Sequence, residues 1–310
     1  MNLTTKSTNK ILAFGEVLWD IVGNKAYIGG APFNLASHCS KIGLQSYLIS
    51  AVGRDFLATS TLNCIDDSGI HNDFICETSL PTGAVNVVLD KNGIPSYTIY
   101  QDVAWDNIVL SEEQFAALIQ TKWDVFCFGT LAQRSCISHS TLIKILDHVD
   151  TQHVFFDINL RQNYFDRASI IKSLEYATIV KLNDEEAVFL DDYLFNNNGS
   201  LEEFASRFAA AYDIAILCIT KGADGAEIYT KHEKYVIPGI EVQVADTIGA
   251  GDSFCAGFLA AFLANKTLSE CGSLAVQVAG FVASQDGAVP DYSASLINVI
   301  KDAGLVVVEE

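Results

Sequence analysis

The sequence predicts a doubly wound α/β fold, in which a mostly parallel sheet is flanked by helices. Short apolar runs recur along the chain, and each ends in a polar or glycine-bearing turn. The runs are apolar at consecutive positions, as in strands that are buried on both faces of a parallel sheet. Helical patterns lie between them, and such alternation is typical of doubly wound sheets. The six runs are residues 11–14, 47–52, 125–128, 154–156, 179–182 and 214–219.

Five segments between these runs carry helical patterns. The first has Pro32 at an expected first helical position and Gly43 just past its end, which is the usual placement of these two residues. The predicted helices are residues 32–42, 111–121, 138–149, 201–212 and 251–264.

Two segments depart from the alternation. Residues 85–90 alternate in polarity, Lys91-Asn92-Gly93 forms a turn signal, and residues 96–100 resume an extended pattern, as in a hairpin. Residues 19–29 also look extended. Together these pieces predict a small antiparallel sheet beside the main one. The sequence leaves two interpretations open, which are a pair of surface hairpins and a lid over a site.

Composition narrows the class of protein. The chain has 310 residues, half of them hydrophobic, so it can bury a full core as one domain over residues 1–310. This composition excludes disorder as the main state. With 19 basic and 38 acidic residues the formal net charge is −19, which argues against nucleic acid or an anionic membrane surface as a partner.

The cysteines and the N-terminal residues suggest an intracellular environment. The eight cysteines include no CxxC pair, and most stand in apolar runs, so we expect reduced thiols. No apolar stretch reaches the roughly 18 residues of a membrane-spanning helix. Because residues 1–10 are polar and lack a signal-peptide pattern, a cytoplasmic location is expected.

Polar residues follow the ends of the predicted strands. In open α/β sheets, ligands bind beyond the carboxyl ends of the strands. The topology should therefore gather these residues at one edge of the sheet. They are Asp20, Asn159, Arg161, Asn183, Glu186, Thr220 and Gly222.

The strongest motif is DTIGAGD, from Asp246 to Asp252, immediately before a helical stretch. Small residues let backbone N–H groups approach an anion, and a helix N-terminus adds unpaired donors and a positive dipole. Asp252 falls in the first turn, where an ionised carboxylate beside a phosphate site can accept a proton from an attacking hydroxyl. The alternative is an ordinary capped helix start after a glycine turn.

These residues resemble the ribokinase-like (PfkB) sugar kinases. DTIGAGD resembles the C-terminal signature of that family, and GGAPFNLA from Gly29 resembles its N-terminal signature. Other stretches are similar to bacterial fructokinases in particular. They are AWDNI at 104–108, FGTLAQRS at 128–135, DINLR at 157–161 and GAVP at 287–290.

The resemblance implies a role for each matching position on the sugar and phosphate side. Asp252 would be the catalytic base. Other positions would form the anion hole for the transferring phosphoryl group, namely Gly249, Ala250 and Gly251. The positions that would bind the sugar are Asp20, Gly30, Asn34 and Arg161.

The resemblance also implies ATP as phosphate donor, with Mg²⁺ and possible K⁺ as ions. Asn183 and Glu186 would help to hold Mg²⁺ through water, although this spacing equally suits a helix N-cap and its capping-box partner. The nucleotide would contact Asn183, Thr220, Gly222 and Gly225, with adenine near residues 276–280. A monovalent cation would lie near Asp246, Ile248 and Gly287. Lid segments at about 19–29 and 85–107 would cover the sugar and support a homodimer.

The sequence thus predicts an ATP-dependent kinase that phosphorylates a primary hydroxyl, with fructose 6-phosphate as the expected product. Two alternatives remain, which are a kinase for another ketose or sugar acid such as 2-keto-3-deoxygluconate, and a catalytically silent sugar-binding relative. A nicotinamide dehydrogenase is disfavoured, because Gly15-Glu16-Val17 follows the first strand instead of a GxGxxG motif. The P-loop motif of another kinase class is absent from the sequence.

Overall fold

The computed structural model describes residues 8–23, 25–89 and 95–308, within which two sheets form. The strands, numbered along the chain, are β1 (Lys10–Phe14), β2 (Leu18–Val22), β3 (Lys25–Gly29), β4 (Gln45–Val52), β5 (Ile75–Glu77), β6 (Gly83–Leu89), β7 (Pro95–Ile99), β8 (Lys122–Gly129), β9 (Asp150–Asp157), β10 (Ile179–Asn183), β11 (Ile216–Thr220), β12 (Ala226–Tyr229) and β13 (Lys234–Ile237).

Helices connect most of these strands. Several begin at a side-chain cap, as at Ser111 and Ser200, whose hydroxyls accept a backbone N–H of the first turn. The helices are α1 (Ala31–Lys41), α2 (Phe56–Asp67), α3 (Glu112–Gln120), α4 (Cys136–Leu146), α5 (Arg167–Leu174), α6 (Asp184–Phe195), α7 (Leu201–Tyr212), α8 (Ala250–Leu263), α9 (Leu268–Ala283) and α10 (Ala294–Asp302).

The main sheet has the strand order β13-β12-β11-β10-β9-β8-β1-β4-β5 among the described residues. The strands from β11 to β5 are parallel, whereas β12 and β13 are antiparallel additions at one edge. Strand β1 lies between β4 and β8. After β1 the chain adds β4 on one side of it and later adds β8 on the other side, so the order of the strands reverses at β1. Ligands of doubly wound proteins bind beyond such a switch point.

Successive residues of the central strands face opposite sides of the sheet, and each side is covered by helices. Leu12 of β1 belongs to the core that also contains Leu142 of α4 and Phe204 of α7. Ile11 belongs instead to the core that contains Phe258 of α8 and Leu274 of α9. The fold class predicted from the apolar runs and the intervening helices is confirmed.

The six predicted strands and five predicted helices all form, with shifted ends. The sequence analysis named neither β5, β12 and β13 nor helices α2, α5, α6, α9 and α10. The missed strands are only three or four residues long. Strands of this length carry little periodicity, and the antiparallel edge breaks the alternation of strand and helix on which the prediction rested.

The smaller sheet has the order β3-β2-β6-β7, and we call it the lid sheet. Pairs β2–β3 and β6–β7 are antiparallel, and a parallel pairing of β2 with β6 joins them. The predicted turn at residues 91–93 lies outside the described residues. The indole Nε1 of Trp19 donates to the Thr61 hydroxyl at 2.8 Å, which fixes the lid sheet against α2.

The lid segment predicted over 85–107 includes residues beyond the lid sheet. Strand β7 ends at Ile99, and residues Ala104–Asn107 form a 3-10 turn in the protein body. Trp105 is fully buried there as part of the hydrophobic core, and the Arg134 guanidinium lies 3.9 Å from its ring centroid. Arg134 also forms an ion pair with Asp106, which secures the turn below the lid sheet.

Two further features bear on the sequence predictions. All eight cysteines are free, and six of them are buried, whereas Cys64 is half-buried and Cys136 is exposed. No helix in the described part of the chain has the length and apolar character needed to cross a membrane.

We predict that Phe156→Ala lowers the free energy of unfolding by about 3–5 kcal/mol, since the ring is fully buried and a cavity would remain. Its ring stacks on Phe128 with centroids 4.9 Å apart. Phe56→Ala is the matched control, because this ring is 83% exposed and its loss should cost no more than about 0.5 kcal/mol. Chemical denaturation measures both values, and equal losses would contradict the assignment of the core.

Candidate active site

Asp252 lies in the first turn of α8, at the carboxyl edge of the main sheet. Asp252 is 9% exposed. Its Oδ2 accepts a 2.8 Å hydrogen bond from Asn34 Nδ2 of α1. Burial raises the pKa of Asp252 to about 6, while the Asn34 hydrogen bond opposes this shift. The group is therefore mostly ionised above pH 7, and it has more proton affinity than an exposed aspartate.

A cavity of about 420 Å³ opens in front of Asp252, beneath the lid sheet, and we call it the lid-side cavity. Lid residues give it an apolar side, and α1, the loop after β9 and the start of α8 supply polar groups. Its lining residues are Glu16, Leu18, Asp20, Gly30, Ala31, Asn34, Val85, Ile99, Leu131, Asn159, Arg161, Gln162, Thr247, Ile248, Gly249, Gly251 and Asp252. The four positions predicted to bind sugar are thus brought together.

One atom of Asn34 is buried without a partner. Its Nδ2 donates to Asp252, whereas its Oδ1 has almost no accessible surface and no hydrogen-bond partner among the described residues. A buried polar atom without a partner costs free energy. The contact that the Asn34 side chain makes here is thus the one to Asp252.

A second cavity of about 550 Å³ lies on the other side of the α8 N-terminus, and we call it the loop-side cavity. Its walls are mainly apolar, with glycine-rich backbone at one end. It is lined by Thr220, Gly222, Ala223, Gly225, Gly239, Ile240, Glu241, Val242, Val244, Thr247, Ala250, Gly251, Phe254, Val276, Ala279, Gly280 and Ala283. Thr247 and Gly251 line both cavities, so the two spaces adjoin at the start of α8.

Gly249 caps α8 in a backbone conformation that requires glycine. Its φ angle is +77°, and a Cβ atom there would lie 2.5 Å from the Ala288 carbonyl oxygen. That carbonyl is held by Nε2 of His38 at 2.9 Å, while Nδ1 of His38 contacts the Tyr292 hydroxyl at 2.7 Å. Burial lowers the pKa of His38 to about 4, so the ring is neutral and serves as a packed link.

The positions expected near a monovalent cation lie on the turn before α8 and on the loop after α9. The backbone N–H of Ile248 donates to Asp246 Oδ1 at 3.0 Å, and Gly287 has a φ angle of +83°.

Burial, and secondarily the negative charge of Asp246, raise the pKa of Asp20 to about 6. Within the described residues no group of three or more His, Cys, Asp or Glu side chains forms a metal cluster.

Asn183 and Glu186 form the capping box that the sequence analysis held open as an alternative. Asn183 Oδ1 accepts the Glu186 N–H at 2.7 Å, and Glu186 Oε2 accepts the Asn183 N–H at 2.8 Å. Glu186 Oε1 accepts the Leu160 N–H at 2.7 Å. Neither side chain belongs to the described linings of the two cavities. Each oxygen retains a lone pair for a water molecule.

A buried ion pair beneath the α8 N-terminus was not found from the sequence. Lys181 Nζ lies 3.1 Å from Asp157 Oδ1, and both side chains are buried. The same nitrogen would lie 3.1 Å from a Cβ atom added to Gly251. A cation therefore lies directly under the predicted anion hole. Lys181 stands in the apolar run of β10, where the hydrophobic pattern obscured it.

Glu16 is the second group without a predicted role. It lies two residues after the end of β1 and is only 4% exposed, and its Oε1 accepts the Ala31 N–H at 3.3 Å. Burial raises the pKa of Glu16 to about 7, against the charge of Arg161. The available signal was its position, since a polar residue at the end of the central strand falls at the switch point.

We predict that Glu16→Gln stabilises the protein at pH 8 by on the order of 2 kcal/mol, because the folded protein no longer holds a buried charge. The raised pKa means that the folded state retains the proton more strongly than the unfolded state does. The stability of the parent chain therefore falls as pH rises through about 7. Chemical denaturation of both proteins at pH 5 and pH 8 checks this, and a difference that did not shrink at pH 5 would contradict it.

The doubly wound sheet, the lid sheet and the two cavities that meet at a helix N-terminus define a ribokinase-like protein. Residues 4–294 match the profile of the pfkB family carbohydrate kinases, and the chain belongs to this family of phosphotransferases. The suspected resemblance is thereby confirmed.

Individual proteins support the same family. The chain is 29% identical over 275 residues to a probable fructokinase-5 of Arabidopsis thaliana, covering 82% of each. An uncharacterized sugar kinase from Pyrococcus horikoshii is similar in structure, with a TM-score of 0.78 and 26% identity, covering 96% of this chain and 99% of that one. A Vibrio cholerae O395 fructokinase, solved with fructose, ADP and calcium, shares the fold at a TM-score of 0.77 and 21% identity, covering 90% and 94%.

Proposed function

We propose that this kinase transfers the γ-phosphoryl group of ATP to the primary hydroxyl of fructose, giving fructose 6-phosphate and ADP. The observation that carries the proposal is the junction of the two cavities at Gly251. The lid-side cavity, with its hydroxyl-binding groups, suits the sugar, and the loop-side cavity suits the nucleotide. The junction is where an attacking hydroxyl and a terminal phosphate would meet.

Asp252 acts as the general base in this proposal. The hydroxyl oxygen attacks the γ-phosphorus, its proton passes to the Asp252 carboxylate, and the bond from the γ-phosphorus to the bridging oxygen of ADP breaks. The backbone N–H groups at residues 249–251 and the α8 dipole stabilise the charge on the phosphoryl oxygens. Arg161 lines the lid-side cavity, and its positive charge partly opposes the burial that raises the pKa of Asp252, which supports the ionised base.

The loop-side cavity suits ATP for two reasons. Thr220, Gly222 and Gly225 line one end of it, and the hydroxyl of Thr220 and the exposed backbone of Gly222 suit phosphate and ribose. Val276, Ala279 and Gly280 of α9 supply the flat apolar wall that an adenine ring needs.

The acidic capping box fits a water-coordinated Mg²⁺, since this hard cation prefers oxygen ligands and keeps several waters. Asn183 and Glu186 would hold it, and when bound it would offset charge on the nucleotide phosphates. Backbone oxygens near Asp246, Ile248 and Gly287 are the proposed positions for K⁺, where a cation would neutralise the Asp246 carboxylate.

Fructose is proposed as the substrate because the chain carries the fructokinase-like stretches at 104–108, 128–135, 157–161 and 287–290. The fructokinase relatives favour the same sugar. A coupled ADP-release assay over fructose, ribose, tagatose, 2-keto-3-deoxygluconate and nucleosides tests the choice.

We predict that Asp252→Asn lowers kcat with fructose by about 100-fold or more, because the amide cannot accept the hydroxyl proton. Fructose and ATP should still bind within a few-fold of the parent affinity, as titration calorimetry measures. Asp192→Asn, on the exposed side of α6, is the control and should leave kcat unchanged. An Asp252→Asn variant with undiminished kcat would contradict the role of general base.

We predict that Glu186→Gln raises the Mg²⁺ concentration for half-maximal activity several-fold, since one anionic oxygen is lost from the capping box. Glu185→Gln changes the exposed neighbour and should leave this concentration unchanged. Activity is titrated with Mg²⁺ at saturating fructose. Thermal unfolding of both variants separates lost cation binding from a weakened α6 cap. An unaltered Mg²⁺ requirement in a folded Glu186→Gln protein would exclude the proposed ion site.

A further inference from the structure

A buried ion pair lies under the first turn of α8. Asp157 of β9 and Lys181 of β10 are partners across these neighbouring strands, and both are buried. They face the side of the sheet that α8 covers, since Phe155 and Ile179, two residues earlier on each strand, belong to the core formed with α8. Lys181 Nζ lies 3.1 Å and 3.3 Å from the two Asp157 carboxylate oxygens. Apolar residues of similar volume often stabilise a protein as well as a buried ion pair does, so packing alone does not require these charges.

The two ends of this ion pair face different parts of the site. The Lys181 ammonium lies against Gly251, where an added Cβ atom would be 3.1 Å from Nζ, and Gly251 lines both cavities. The Asp157 carboxylate instead receives the thiol of Cys255, with Sγ 3.6 Å from Oδ2. Asp157 and Asp252 also line the same small internal cavity of about 20 Å³, whose described lining does not include Lys181. The positive end of the pair is thus directed to the anion-binding turn, and the negative end lies on the side of Asp252.

Fixed positive charge is otherwise scarce around the start of α8. The described residues that line the two cavities include one cationic side chain, that of Arg161, and it is exposed. A transferring phosphoryl group carries negative charge on its oxygens, and solvent screens a buried cation less than an exposed one. Lys181 therefore adds a full positive charge to the helix dipole, from the protein side of the turn.

We propose that Asp157 and Lys181 are positioning residues for phosphoryl transfer, in which the ammonium supports the anion-binding turn at Gly251 and the carboxylate keeps a negative charge beside Asp252. This inference rests on the proposed function, in which Asp252 is the general base. A neighbouring negative charge favours the protonated form of a carboxyl group, so Asp157 strengthens Asp252 as a proton acceptor. Neither member of the pair belongs to the described linings of the two larger cavities, so both act through α8.

The titration of Asp252 reports on both members of the pair. Burial is the main reason that the pKa of Asp252 is raised to about 6, and the Asp157 charge adds to this shift whereas the Lys181 charge opposes it. Removal of one member should therefore move this titration in the opposite direction to removal of the other. The other titratable or charged side chains near Asp252 are Glu16 after β1, Arg161 after β9 and Cys255 of α8.

The test measures kcat as a function of pH, with the sugar that reacts fastest in the ADP-release assay and with saturating ATP. Asp157→Asn should move the acidic limb of the profile to lower pH by about half a unit or more, and Lys181→Met should move it to higher pH by a similar amount. Lys181→Met should also lower the plateau kcat by about tenfold or more, because charge on the phosphoryl group is less well stabilised. The KM for the sugar should stay within about twofold of the parent value, since neither residue contacts the sugar.

Two further variants separate this role from a structural one. Loss of one partner can prevent folding, because it leaves a buried charge unpaired. The double variant Asp157→Asn/Lys181→Met leaves no such charge, so it should fold and still show the reduced plateau kcat. Asp191→Asn is the matched control, since it breaks the ion pair of a buried carboxylate with Arg207 outside the described linings of both cavities. It should lower the thermal stability without altering kcat or the acidic limb.

The outcomes distinguish this inference from the proposed function. Acidic limbs that move in the same direction, or not at all, in the folded single variants overturn the inference and leave the kinase intact. A folded double variant with the plateau kcat of the parent also overturns it, because a purely structural pair gives that result. Failure of the parent to phosphorylate any sugar, or undiminished kcat in Asp252→Asn, overturns the proposed function and this inference with it.

Discussion

The arrangement of the site depends on the positive end of α8 meeting two spaces at once. The turn before this helix must be narrow, so that its backbone lies next to both cavities. Gly249 makes such a turn possible, because a side chain at this position would collide with Ala288. The helix dipole and the buried Lys181 lie on the protein side of the turn, while Asp252 faces the lid side. A positive environment and a buried carboxyl group are thereby held within one helical turn.

The lid sheet completes the lid-side cavity without belonging to the main sheet. Leu18, Val85 and Ile99 give it an apolar surface that suits the C–H face of a sugar. At its base, Tyr164 donates through its hydroxyl to the Ile99 carbonyl, and Arg134 donates to the Tyr100 carbonyl. Since Arg134 also forms the ion pair with Asp106, the point where β7 leaves the lid is tied to the protein body.

Much of this could be predicted from the sequence, and the exceptions have a common cause. The parallel strands were evident because burial on both faces produces continuous apolar runs, and DTIGAGD was evident because closely spaced small residues before a helix are unusual. Lys181, Asp157 and Glu16 were missed because their importance comes from three-dimensional neighbours. A lysine in a strand becomes informative only when its partner on the next strand is known. The capping box of Asn183 and Glu186 differs, because it depends on residues three apart in the sequence. The sequence therefore offered this geometry as an alternative, but it left open whether the two residues bind an ion.

Helix α1 contacts both the Asp252 side chain and the backbone behind Gly249. Asn34 and His38 are four residues apart, so they project from the same side of the helix, one turn after the other. The first holds Asp252, and the second holds the carbonyl that packs behind Gly249. Because one helix contacts both groups, a shift of α1 would displace the Asp252 carboxyl and the backbone behind Gly249 together.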